Sequence, residues 1–192
     1  MSDTTHIEVE EEVLSRRERE ARSEIRVIGD PVLRERARDV TSFDRNLRKL
    51  AKRMIRVMHD APGVGLAAPQ VGVVQRVLVY DVDDDPRVLV NPVLDEFSEE
   101  TEVGDEGCLS VPGLRMPVER PVSVRVHACD ADGEPLDYRA EGFEARVIQH
   151  EYDHLEGVLI VDRTTRAARA EAMRALRERE EAGLAVIGGG GL

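Results

Sequence analysis

The segment that most constrains this chain is Gln149-His150-Glu151-Tyr152-Asp153-His154-Leu155-Glu156-Gly157. It contains the pattern His-Glu-x-x-His. On a helix the two imidazoles stand one turn apart on one face, where they can grip a single metal ion, with Glu151 beside any water that the metal would hold. Phe143, Val147, His150 and His154 follow an i, i+4, i+7, i+11 rhythm. The histidines therefore continue an apolar face, and the segment reads as a helix from about Glu141 that stops at Gly157. A single histidine on such a face is more often a hydrogen-bonded core residue. Two at this spacing, with a glutamate after the first, favour metal binding. A catalytic metal wants three protein ligands and one open position, so the rest of the chain must supply another donor.

The 192 residues suffice for one domain with a real core, plus tails. A net charge of −12 and a pI near 4.9 disfavour a broad nucleic-acid surface or an anionic membrane as the main partner. No apolar run is long enough to span a bilayer, and no signal-peptide pattern opens the chain. The expectation is a cytoplasmic protein with no direct membrane association and no sequence-specific nucleic-acid binding. Tryptophan is absent and aromatics make up 3%, so the core must be aliphatic. Two cysteines, Cys108 and Cys129, are too few for a disulfide framework, and in a reducing compartment one is free to act as a thiolate ligand.

Taken in order, residues 1–24 read as an acidic, disordered or weakly helical extension. Ser42 to Asp60 reads as a helix with Leu47, Leu50, Ala51, Met54, Val57 and Met58 on one face, capped by Ser42 or Asp44. His59 near its end reads as a surface residue or dipole partner. Gly63-Val64-Gly65-Leu66-Ala67-Ala68-Pro69-Gln70 lacks the later Gly and the Lys-Ser/Thr of nucleotide loops; it suits an extended edge that binds a peptide through main-chain hydrogen bonds. Strands are expected over Val74–Val82, Val88–Leu94 (broken at Pro92), Glu99–Asp105 and Pro121–Cys129, with a turn at Pro112-Gly113. His127 falls on the opposite face from Val124 and Val126 and reads as structural. A hairpin turn at Asp130-Ala131-Asp132-Gly133 leads to a strand through Ala140. Thr165 can cap a last helix through Ala182, and Gly188–Gly191 form a flexible end. Without regular strand–helix alternation, the fold class is α+β: mixed or antiparallel sheets around a central metal-binding helix, with one helix in the N-terminal half and one at the C-terminus. The expected divisions are 1–24, a catalytic domain at 25–163, and 164–192.

Three kinds of third ligand present themselves. A metzincin would carry another histidine where Ile160 stands. A thermolysin-like site would use a later glutamate, Glu171 or Glu178. The third is Cys108, in an extended segment with Gly107 and Ser110; Cys129 sits in an ordinary strand pattern and reads as a small core residue.

Glu106-Gly107-Cys108-Leu109-Ser110, Gly63 to Gln70 and Gln149 to His154 occur together in that chain order. In this combination the chain resembles the peptide deformylases, over roughly Ile25 to Asp162. The resemblance implies that Cys108, His150 and His154 hold one divalent metal with solvent in the fourth place: ferrous iron by family habit, with nickel, cobalt or zinc able to replace it. It implies that Glu151 is the general acid–base, and that the Gln70 side-chain amide and the Leu109 N–H stabilise an oxyanion. Val64 and Gly65 would pair with the substrate main chain and Arg115 would meet it further along. Phe143 and Val147 would wall the methionine side chain. Arg146, near the same face, fits either the pocket rim with a wet head or plain solvent. The implied partners are N-formylmethionyl peptides and nascent chains. The arginines of the two flanking helices leave room for transient contact with the ribosome. The rivals are a zinc metallopeptidase of another class and a module that keeps its metal only as structure.

Overall fold

The computed structural model describes residues 8–9 and 15–181. In chain order the elements are β1 (Glu8–Val9), α1 (Arg16–Ser23), α2 (Arg45–Asp60), β2 (Gly65–Ala67), β3 (Val77–Tyr80), β4 (Arg87–Asp95), β5 (Thr101–Cys108), β6 (Val111–Pro121), β7 (Ser123–Cys129), β8 (Pro135–Glu141), α3 (Gly142–Leu155), α4 (Ile160–Arg163) and α5 (Arg166–Glu181). Two antiparallel sheets form, one ordered β1-β6-β5 and the other β2-β3-β4-β7-β8. Helix α3 packs against β2, β3, β7 and β8 of one sheet and β6 of the other. The class is α+β, as expected. No helix among the described residues is long and apolar enough to cross a membrane.

The five-stranded sheet is covered on both faces. Alternation along β3 sends Val77 and Val79 toward the cluster with Met54, Val57 and Met58 of α2, and Leu78 and Tyr80 toward the cluster with Ala145, Val147 and Ile148 of α3. Each fully buried Val or Leu contributes about 1.5–3 kcal/mol relative to exposure. Helix α2 buries the face that its periodicity marks, except that Leu50 is only partly buried. Asp44 is its cap, accepting from the Asn46 and Leu47 N–H groups at 2.8 and 3.1 Å. A third cluster joins Leu114, Met116 and Val118 of β6 to Leu159, Ile160 and Val161 and to Ala172 and Leu176 of α5. Thr165 Oγ1 accepts from the Ala168 N–H at 3.2 Å, the cap expected for α5.

Three local expectations change. Of the extension at 1–24, read as disordered or weakly helical, Arg16–Ser23 is a regular helix with a Ser15–Glu18 capping box and with Ala21 buried against α2. The remainder of that extension other than Glu8–Val9, Ser15 and Glu24, and the glycine end at Gly188–Gly191, lie outside the described residues. The chain reverses at Leu109–Ser110 rather than at Pro112-Gly113. Pairing jumps from Gly107↔Arg115 to Cys108↔Val111, so Pro112 and Gly113 sit in a bulge, where a missing N–H and a φ of +70° cost the β5–β6 ladder nothing. Strand β4 runs through Pro92 by the same device, with a register shift between Val90 and Val93.

Candidate metal centre

Period-two alternation puts Glu106 and Cys108 on the inner face of β5, where they are 6% and 9% exposed. Helix α3 lays His150 and His154 against that face, their ring centroids 5.3 Å apart. Cys108 Sγ lies 3.3 Å from His154 Nε2. One ligand atom each from Cys108, His150 and His154 falls within 4.8 Å of the others, the cluster of this kind among the described residues.

His150 Nδ1 lies 2.9 Å from Glu106 Oε2. With the carboxylate ionised it can only accept, so Nδ1 carries a proton and Nε2 is the nitrogen that would ligate a metal. Glu106 also accepts from Arg120 Nε and Nη2, both at 3.0 Å, and from Arg146 Nη1 at 2.9 Å. Burial works to raise its pKa, but the bonds from His150 and Arg120 outweigh it and hold the carboxyl at about 2. Arg120 Nη1 continues to Asp153 at 2.6 Å, and Arg163 Nε reaches the same oxygen at 3.0 Å. Burial, with His150 nearby, holds His154 well below the imidazole range and so neutral, the form that can ligate. Its Nδ1 and the Oε2 of Glu151 are buried without hydrogen-bond partners among the described residues. Burial first, opposed by His150 and reinforced by Glu106, lifts the Glu151 carboxyl to about 7. One thiolate and two imidazole nitrogens, backed by a fixed carboxylate, form a donor set that fits a divalent transition metal.

Residues 22–170 match the sequence model of the polypeptide deformylase family. The chain is 54% identical over 162 residues to the peptide deformylase of Acidothermus cellulolyticus, covering 84% of this chain and 89% of that one. The chain belongs to the peptide deformylase family. The crystal structure of peptide deformylase from Thermotoga maritima superposes with a TM-score of 0.72 at 52% identity, covering 73% of this chain and 96% of that one. The Legionella pneumophila peptide deformylase gives 0.78 at 39% identity over 83% and 96%. The function is that of a peptide deformylase, a metal-dependent amidohydrolase acting on formylated peptides, with Cys108, His150 and His154 as its metal site.

Several of the other residues singled out from the sequence fall around this deformylase centre. A cleft of about 350 Å³ opens onto it, lined by Val64, Gly65, Leu109, Arg115, Phe143 and Val147 among others. Gly65 passes so close to Glu151 that a Cβ would lie 2.4 Å from Oε1. Gln70, 1% exposed, accepts from the Ala67 N–H at 2.8 Å through Oε1, which turns Nε2 toward Ser110 Oγ at 3.1 Å and Cys108 Sγ at 3.8 Å. Arg115 Nη2 donates to the Asp105 carbonyl at 3.1 Å. Phe143 is 59% exposed at the mouth, whereas Val147 is buried. Arg146 lines the cleft, but its head is not wet: it donates to Glu106, to the Val118 carbonyl at 2.9 Å and to the Glu102 carbonyl at 2.7 Å. Glu171 and Glu178 lie on α5 outside the cluster. Cys129 packs, partly buried, against the α2 core. His59 pairs with Asp81 at 2.9 Å, and His127 lies between Asp95 and Asp137 at the surface.

Sequence reasoning assigned no role to Glu106, Arg120 or Asp153. Leu114, Met116, Val118 and Arg120 share one parity and all are buried, a signal that becomes readable only once β6 is known to be a strand. Glu106 shares parity with Cys108 in the same way.

Proposed function

We propose the following division of labour for removing the formyl group from an N-terminal methionine of a newly made polypeptide, leaving formate and a free amine. Cys108, His150 and His154 hold one divalent ion, ferrous iron as the resident metal with nickel, cobalt or zinc as substitutes. When bound, such an ion supplies Lewis acidity and makes water a better nucleophile near neutral pH. Glu151 takes the proton from the water attacking the formyl carbon and passes it to the departing amine. Its burial and its unpartnered Oε2 leave it free to take that proton. The Gln70 amide and the Leu109 N–H receive the developing oxyanion; losing one such donor typically costs about 2.7–4 kcal/mol of barrier.

Strand β2 is an edge of its sheet, so the Val64–Gly65 backbone can take an added peptide strand. This lets the enzyme accept many sequences, while Phe143 and Val147 select the methionine and Arg115 meets the chain beyond it. Transient ribosome contact would use the exposed Arg45, Lys49 and Lys52 of α2, because Arg48, Arg53 and Arg56 are engaged with Asp132 and Glu24.

The observation that carries this reading is the convergence of one thiol and two imidazoles beside an unpartnered buried carboxylate at the floor of a cleft. The test is formate release from a formyl-Met peptide by anaerobically purified protein, with metal analysis on the same sample. Turnover should track bound iron, and Glu151→Ala should lose turnover while keeping its metal. Undiminished formate release by that variant would remove Glu151 from the mechanism.

A further inference from the structure

Helix α3 carries two metal ligands and the cleft walls, yet its start is poorly secured by its own residues. Its N-cap residue Glu141 makes no side-chain cap bond, and Gly142 opens the helix at φ +54°. The Gly142 N–H donates to the Val122 carbonyl at 2.8 Å, but no side chain caps the N–H groups that follow it in the first turn. Beyond that one backbone bond, side chains of its third and fifth residues hold the turn. Arg146 ties it to β5 and β6, as described. Glu144 ties it to the other sheet: its Oε1 accepts from the Tyr80 hydroxyl at 2.8 Å, and that hydroxyl lies 2.7 Å from the Tyr138 hydroxyl. Tyr80 has one hydrogen and gives it to Glu144, so Tyr138 donates to Tyr80. Burial, with Tyr138 beside it, raises the Tyr80 phenol far above its ordinary range, so it stays a donor at any working pH.

Tyr80 also touches the reaction's geometry from two directions. It belongs to the core cluster that contains Ala145, Val147 and Ile148 of α3. Across the sheet its partner is Gly65, the residue that brushes Glu151. Phe143 and Val147 bracket Glu144 along the helix.

We propose that the Tyr138–Tyr80–Glu144 chain is a positioning device for the methionine pocket: it fixes the first turn of α3, hence the placement of Phe143 and Val147 across the cleft, and so sets selectivity for the formylated side chain. This rests on the reading of Phe143 and Val147 as pocket walls.

The test is Tyr80→Phe, which removes one hydroxyl and fills the same space. Steady-state kinetics are measured on formyl peptides that begin with Met, Phe or Ala and are otherwise identical. KM for the Met peptide should rise about three- to tenfold, the scale of one lost hydrogen bond, with kcat within about twofold of wild type. The Met-over-Phe and Met-over-Ala ratios of kcat/KM should narrow. Glu144→Gln, which keeps an acceptor, should stay near wild type. Glu144→Ala should match Tyr80→Phe, and the double variant should be no worse than either single one. A purely structural role would lower Tm and reduce turnover of all three peptides by one common factor, and that result overturns the proposal. So does unchanged selectivity in Tyr80→Phe when wild type discriminates. A wild type that does not discriminate at all would overturn the pocket reading itself, and this inference with it.

Discussion

Replacing Gly65 by alanine tests how closely strand β2 must pass the carboxylate assigned to proton transfer. The added Cβ would meet Glu151 Oε1 at 2.4 Å, Cγ at 2.8 Å and Cδ at 2.9 Å, where ordinary contact begins near 3.4 Å. Relief therefore requires a shift of about 1 Å in the carboxylate or in the strand. The strand is pinned by its register with β3 and by Leu66 and Ala67, both 0% exposed; Glu151 is 4% exposed. Overpacking of this kind costs about 1–3 kcal/mol of stability. Displacing a catalytic group by about 1 Å costs on the order of 10²-fold in rate. Gly65→Ala should therefore lower kcat/KM for a formyl-Met peptide by about 100-fold. Metal content should hold at the wild-type level, because the three atoms nearest the new methyl all belong to Glu151. Formate release, metal analysis and a thermal melt on one preparation read all three quantities. A folded Gly65→Ala enzyme with wild-type turnover would refute the reasoning, and one that had lost its metal would show the damage reaching the ligands instead.

Arg120→Met leaves Glu106 and Asp153 buried without their shared cation. Arg146 still reaches Glu106 and Arg163 still reaches Asp153, so the loss should be that of charge-assisted hydrogen bonds, about 1.5–3 kcal/mol in a denaturant melt, and a loss under about 1 kcal/mol would deny the network its role. The same variant loosens the carboxylate behind His150, so metal affinity measured by competition with a chelator should fall about 10–100-fold. Cys108→Ala should bind metal weakly and release no formate, and chelation of wild type should lower Tm in a way that added metal reverses. Asp162 titrates below the usual carboxyl range: burial opposes the shift, but Arg34 and the Leu159 N–H overcome it. A depressed folded-state pKa gives stability that is present above the unfolded value near 3.8 and lost as pH falls through the lower folded value. The Tm gap between wild type and Asp162→Asn should therefore close as the pH drops below about 4. A gap that is constant with pH contradicts this.

Elements whose pattern is local were legible from the residues alone. The α2 face, the Asp44 and Thr165 caps and the Asp130–Gly133 hairpin turn each depend on residues within one or two turns of each other, and each appears where expected. Strand β6 was not legible, because Pro112, Gly113, Pro117 and Pro121 punctuate it as if it were loop. Only pairing with β5, bulged at the Pro-Gly pair, makes it a strand. Arg146 was ambiguous for a related reason: helical spacing places it near the cleft but cannot say that Glu102, Glu106 and Val118 wait there as acceptors.

The order of residues alone determined that two imidazoles and a carboxylate would share one helical face, because 3.6-residue periodicity is a property of the backbone. It could offer Cys108 beside Glu171 and Glu178 as third ligand, and only family resemblance chose among them, since no local rule says which strand meets which helix. Packing α3 across both sheets decided the rest. It closed a sulfur and two ring nitrogens to within 4.8 Å, buried Glu106 between two arginines and a histidine, and set Gly65 against Glu151. Those are long-range contacts in a low-dielectric interior, where burial and the neighbours it brings set each group's charge.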